Sequence, residues 1–429
     1  MPAPRSLRPR ADLVLRNALV ATCDRGPADA GLIPGGAVAV EDRRIAFVGP
    51  DRELEGAVEL EGARVLDAGG GLVTPGLVDS HTHLLFAGER AGEFSLRCAG
   101  RSYLQVALSG GGIAVTTRAT AAAGDEALLQ AAAARARRLL AQGVTTVEVK
   151  SGYGLEPEAE LRLLRLLQRL GQALFAHQTV VPTLLLHAVP PSRTGDREGF
   201  VREVCEQLVP QVAWERLATS CDVFVEAGAF GPEEARRILE AARASGLATR
   251  LHADQLTAGG GARLAAELGC ASADHLEEID ALGIEAMARA GVVAGLLPLS
   301  TLFLGSDRYA PARRLREAGV PIALATNVNP GSAMSENVGL TLSLACLMLH
   351  LAPAEALIAL TAGGARSLRR PDVGRLAAGA EADLVLFGCG SPEHLAWHMG
   401  MNHALLVVKR GRIVHEAAVG AAVDCRDAR

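Results

Sequence analysis

Between residues 77 and 326 the chain alternates short, β-branched apolar runs with longer segments of helical period, and it does so eight times. The runs fall at 77–83, 144–150, 179–186, 222–226, 248–252, 272–275, 292–297 and 321–326. Strands that pair in parallel need a crossover between them, and a helix is the usual one. The alternation therefore restricts this stretch to a parallel sheet covered by helices. The clearest helical segment is 125–142, where Ala, Leu and Arg recur at helical spacing until Gly143 stops them; 156–170 and 232–244 are two more. Eight such units predict a closed (β/α)8 barrel. The competing architecture is an open, doubly wound sheet. It would carry a GxGxxG turn after the first strand, and none is present, which disfavours a Rossmann oxidoreductase.

The flanks read differently. Segments 11–23, 37–48 and 64–73 are Val-rich and separated by Gly, Pro and Asp, and 374–387 and 405–416 repeat that character around a Lys409-Arg410-Gly411 turn. Neither flank can bury a core alone, so the two ends are expected to pair into one β-sandwich. The expected division is 1–75 and 366–429 for the sandwich and 76–365 for the barrel. A chain of 429 residues that is 49% hydrophobic can fill both; with only 3% aromatics, Leu, Val and Ala must do the packing.

Several function classes drop out. The net charge is −5 and the basic residues are scattered, so nucleic acid is not an expected partner. Eight cysteines at irregular spacing, without a CxxC pair, read as reduced thiols of a cytoplasmic protein. The basic start is interrupted by Asp12 and Arg16, which argues against a signal peptide. The apolar stretch 340–360 holds His350, Pro353 and Glu355 and reads as a core helix rather than a membrane span.

In barrels of this kind chemistry sits at the C-terminal strand ends, and this chain places ionisable residues there. Strand one ends in His81-Thr82-His83, strand two in Lys150, strand four in Glu226, strand five in His252 and strand six in His275; strand three runs into His187 and strand eight ends near Asn327. His81 and His83 are two apart, so both imidazoles leave the same face of a strand. With His252 they could chelate one zinc or iron(II) ion and leave room for water. A lone histidine is more often structural, and it is the strand-end position that argues for a ligand. His275 reads as a neighbour of the site rather than a ligand.

At this point the motifs become specific. Pro75 through His83 resembles the opening signature of the amidohydrolase superfamily. The run Val144-Thr145-Thr146-Val147-Glu148-Val149-Lys150-Ser151-Gly152-Tyr153-Gly154-Leu155 is similar to a motif of the imidazolonepropionase family. So are Arg101-Ser102-Tyr103 with Gly110-Gly111-Gly112-Ile113, His187-Ala188-Val189-Pro190-Pro191, and Leu251-His252-Ala253-Asp254-Gln255. The likeness runs from about residue 73 to about residue 411. It implies hydrolysis of 4-imidazolone-5-propanoate to N-formimino-L-glutamate by metal-activated water, with one zinc or iron ion per chain. It also suggests a homodimer acting on this small molecule, while the cysteine and apolar-run readings above make it cytoplasmic with no membrane partner.

Residue by residue, the resemblance makes His81, His83 and His252 metal ligands and Arg90 the holder of the substrate propionate. A guanidinium fork suits a carboxylate. Tyr103, Tyr153 and His187 would contact the substrate, Gln255 its ring, and Asn329, Gly331 and Ser332 its tail. Lys150 reads as a structural ion pair and Glu226 as a supporting hydrogen-bond acceptor. One departure stands out: Asn327 occupies the place of a metal-binding Asp that also moves a proton. An amide can offer its carbonyl oxygen to a metal but is no base, which leaves His275 to carry the proton. The alternatives are an impaired or non-catalytic homologue, or an amidohydrolase acting on another small heterocycle.

Overall fold

The computed structural model describes residues 8–24, 29–101, 105 and 110–417. Eight strands stand side by side in sequence order and run parallel: Leu77–Asp79, Val144–Lys150, Thr179–Leu186, Ser220–Val225, Ala248–Ala253, Ser272–His275, Val293–Leu296 and Ile322–Leu324. The order has no reversal, so the doubly wound alternative is excluded. Just beyond the strand ends the first and last strands meet. Asn327 N donates to His81 O at 3.0 Å, and His83 N donates to Val328 O at 2.9 Å. The sheet is thereby nearly closed.

The strands are buried on both faces because one side meets the barrel interior and the other meets helices; every residue of Val144–Lys150 is buried. The helix Asp125–Leu140 shows how local sequence sets an element. Asp125 and Glu126 lie in its first turn and Arg137 and Arg138 in its last, which suits the helix dipole. Leu128, Ala132, Ala136 and Leu139 form its buried stripe. The expected helix at 232–244 is Pro232–Ala244, and that at 156–170 runs on to Leu174 from Pro157. The stretch 340–360 is not one helix. It splits into Val338–Leu347 and Pro353–Ile358, because a proline cannot continue a helix but can start one.

The two chain ends do pair. Leu72–Pro75 lies antiparallel to Leu384–Phe387, which continues into the hairpin of Ala404–Lys409 and Arg412–Glu416. On the other side Leu72–Pro75 meets Leu13–Ala21, followed by Leu32–Glu41 and Arg44–Pro50. Alternation along these strands makes two apolar layers. Leu13, Leu15, Val38, Val40, Val73, Leu384, Leu406 and Val408 share the larger one. Val14, Ala37 and Ala39 face the other way and are capped by Leu54 of the helix Asp51–Ala57.

Candidate metal centre and substrate pocket

The site begins where the first barrel strand ends. Thr82 turns toward strand two: its Oγ1 donates to Glu148 O at 2.5 Å, and its carbonyl accepts from Lys150 N at 2.9 Å. His81 and His83 therefore leave on the opposite side, toward the barrel axis. They meet His252 from the end of strand five. The three rings are buried, and one nitrogen from each lies within 4.8 Å of the others. Ring centroids are 5.3 Å apart for His81 and His83, and 4.5 Å for His81 and His252.

Two of the three rings are pinned from behind by carboxylates. His81 Nδ1 lies 2.7 Å from Asp274 Oδ2, and His252 Nδ1 lies 3.0 Å from Asp222 Oδ1. A carboxylate only accepts, so each Nδ1 carries the proton and each Nε2 offers a lone pair to the axis. His81 Nε2 is buried and has no hydrogen-bond partner among the described residues. Asp274 is in turn held by Arg250 Nη2 at 2.9 Å, and Asp222 by Lys150 Nζ at 2.7 Å. Lys150 also meets Glu148 at 2.7 Å, all three groups being fully buried. The expected structural ion pair at Lys150 is thus a bridge between two carboxylates.

The electrostatics favour neutral imidazoles. Burial, reinforced by Lys150 and neighbouring histidines, holds His81 well below the ordinary imidazole range. Burial and the nearby His252 and His187 do the same to His83. At His252 burial outweighs the opposing pull of Asp222. Burial opposes ionisation of Asp222, but His252 and Lys150 more than offset it and keep that carboxyl low. An unpartnered nitrogen, a three-nitrogen donor set and anionic groups behind it fit a zinc or iron(II) ion.

Around this centre stand several of the other residues singled out by the sequence. His187 stands 6.0 Å, ring to ring, from both His83 and Tyr153, and burial pushes its pKa down to about 3. Tyr153 is buried in a loop whose amides at Gly152, Gly154 and Leu155 all donate to the carboxylate of Glu160. Gly152 has φ +93°, and a side chain there would strike Leu185. Arg90 lies against Gly331 so closely that a Cβ at 331 would sit 2.2 Å from Arg90 Nη1. Its guanidinium also grips Glu93, at 2.7 Å. Asn329 Oδ1 accepts from Gly331 N and Ser332 N at 2.8 and 2.7 Å, which folds that loop beside Arg90.

Asn327 is buried with φ +56°, a left-handed conformation that asparagine tolerates. Its Oδ1 accepts from Asn329 Nδ2 at 3.2 Å. His275 sits 5.4 Å, ring to ring, from His252 and 5.7 Å from His81, with Glu277 Oε1 at 3.6 Å from its Nδ1. Both His275 and Leu276 have positive φ, at +83° and +71°; such strain persists only where the surroundings impose it. Gln255 is half-buried at the end of strand five. Its loop is anchored by Glu226, which accepts from Leu256 N at 2.9 Å and from Thr257 N and Oγ1. Tyr103 lies outside the described residues.

Sequence reasoning missed Asp222, Asp274, Arg250 and Glu93. A signal existed for the first three. A charged residue inside a strand that is otherwise apolar on both faces, as in Cys221-Asp222-Val223, must have a buried partner.

The Amidohydrolase family model matches residues 72–415. An imidazolonepropionase of Anaeromyxobacter dehalogenans strain 2CP-1 is 75% identical over 419 residues, 98% of this chain and 100% of the relative. An imidazolonepropionase of Myxococcus xanthus strain DK1622 is 55% identical over 381 residues, 89% and 90% of the two chains. Among solved structures, 5-methylcytosine deaminase from Klebsiella pneumoniae superimposes with a TM-score of 0.72 at 16% identity, covering 94% of this chain and 98% of that one. That last likeness speaks to the fold.

Proposed function

Since the chain belongs to the amidohydrolase family, and within it to the imidazolonepropionases, we propose that it opens the ring of 4-imidazolone-5-propanoate to give N-formimino-L-glutamate, a step of histidine degradation. The observation that carries this reading is the buried trio His81, His83 and His252, two of them backed by carboxylates, at the same barrel mouth as Arg90 and the Asn329 loop. The trio would hold one zinc or iron ion, with the Asn327 carbonyl as a further donor. When bound, such an ion supplies Lewis acidity and brings water within reach of ionisation near neutral pH.

The chain's own residues do the rest. Arg90 holds the propionate with the folded loop of Asn329, Gly331 and Ser332; Tyr103 is assigned to the same end. Tyr153 and His187 enclose the ring, and His187 is neutral, so it can accept or donate a hydrogen bond without adding charge. Gln255 hydrogen-bonds the ring from the strand-five loop. His275 takes the proton released as water attacks and returns it to the departing ring nitrogen, with Glu277 beside its Nδ1. Asn327 orients water and is not the base.

The two competing readings, a non-catalytic homologue and a hydrolase of another heterocycle, gain no support from full-length relatives that share one name. A cytoplasmic location and a homodimer belong to the same proposal. Among the described residues no helix is long and apolar enough to cross a membrane. The test is metal analysis beside an assay of ring opening, on the wild type and His81→Ala. About one zinc or iron per chain with turnover is expected, and loss of most of both in the variant. Full metal retention in His81→Ala would overturn the centre; a loaded enzyme inert toward this substrate would overturn the reaction.

A further inference from the structure

A second group of imidazoles lies apart from the barrel mouth. His394 sits in the short helix Pro392–Trp397, His398 directly follows it, and His403 immediately precedes the strand Ala404–Lys409. His394 and His398 are four apart, so they share one side of the turn; His398 N donates to His394 O at 3.1 Å. The chain then reverses at Gly400, φ +73°, and brings His403 back against both. Ring centroids are 5.4 Å apart for His394 and His403, and 4.9 Å for His398 and His403. One nitrogen of each ring lies within 4.8 Å of the others, the same closeness found for His81, His83 and His252.

His403 is buried, and its Nε2 has no hydrogen-bond partner among the described residues. A buried polar atom left unmatched in an otherwise well-bonded region calls for a partner. Burial, helped by His398 and His394, keeps His403 below the usual imidazole range. The surrounding backbone is fixed independently. Ser343 Oγ donates to Ala396 O at 2.7 Å, Asn337 Nδ2 to Gly400 O at 2.9 Å, and Asn402 Nδ2 to Ala141 O at 2.9 Å. Gly388 N donates to His403 O at 2.8 Å. The three rings are thus presented by a framework that other contacts hold in place.

We infer that His394, His398 and His403 form a second metal site, separate from the barrel centre, that takes one divalent transition ion such as zinc, with water completing its shell. Three imidazoles and no carboxylate suit zinc, nickel or copper(II) and not the oxygen-seeking calcium or magnesium. An ion there would tie the helix Pro392–Trp397 to the strand that begins at Ala404.

Trp397 supplies the probe. Its ring lies 5.6 Å from that of His394 and 6.2 Å from that of His398, and the chain's other tryptophan is Trp214. The experiment uses untagged holoprotein carrying Trp214→Phe, titrated with Cu2+ while fluorescence is followed, then with Zn2+ in competition. Saturable quenching reversed by zinc is expected, with zinc content rising by one equivalent per chain. In His394→Ala/His398→Ala the copper affinity should fall at least about tenfold. His398→Gln alone serves the same comparison if the double variant fails to fold. Absence of saturable quenching overturns the site, as does an affinity unchanged in both variants. Loss of the extra equivalent in His81→Ala instead would assign it to the barrel.

Discussion

In the proposed mechanism Asn327 and His275 divide between them a task that one carboxylate could perform. His275 is buried, strained and next to Glu277, and the proton is assigned to it. His275→Ala should lower kcat by about 10²–10⁴, the usual share of a placed acid–base group. KM should change much less, because the group acts in the transition state. Introducing Asn327→Asp into that variant should restore part of the rate and add an acidic limb to the pH profile as the new carboxyl titrates. A rate that stays flat would place the base elsewhere. For Arg90 the expected effect is on binding. It is nearly buried beside Gly331, so Arg90→Ala should weaken substrate binding by about 2–4 kcal/mol, the range for stripping one partner from a desolvated charge pair. Arg90→Lys should recover only part, since an ammonium cannot reproduce the fork. Unchanged KM in both variants would refute the clamp. The histidines of the centre were legible because strand-end position and two-residue spacing are visible in sequence. Their carboxylate partners were not, because Asp274 and His81 are 193 residues apart and meet only through the barrel.

The first and last barrel strands are short, three residues each, and their junction depends on side chains. Asp79 accepts from Thr326 N at 3.1 Å and from Thr326 Oγ1 at 2.5 Å. Burial pushes the Asp79 carboxyl up to about 7 although these hydrogen bonds pull it down. Thr326→Val keeps the shape and deletes the hydroxyl, leaving a buried acceptor short of a donor. A loss of about 1–3 kcal/mol is expected, read from denaturant melts. No change would mean that the backbone bonds alone close the sheet. At this scale the barrel strands were readable from their continuous apolar runs, mostly within a residue or two. The flanks were less so. The stretch 37–48 is two strands joined at Asp42 and Arg43, and 64–73 is two strands parted at Gly69 and Gly70. A tight turn uses too few residues to interrupt a Val-rich pattern. The stretch 374–387 forms a strand only over its last four residues, because regular pairing there depends on a partner from the other end of the chain.

For the whole molecule, that partnership between the ends is the governing feature. Deleting everything after residue 383 removes the strand that pairs with Leu72–Pro75 and strips Leu384, Leu406 and Val408 from the larger apolar layer of the terminal sheet. The truncated chain should be insoluble or fail to bind metal, as judged by size-exclusion chromatography and metal analysis; a soluble, metal-loaded fragment would show that the barrel does not need the C-terminal strands. The same pairing sets a timetable for synthesis. Thr74 and its partner Val385 are separated by the entire barrel, so at 5–20 residues per second the early strand waits roughly 15–60 s on the ribosome. All eight barrel strands emerge within that interval, while the bare edge of Leu72–Pro75 is open to any extended segment nearby. The nascent chain is therefore most exposed to misassembly when its catalytic half is already out and its last strands are still untranslated.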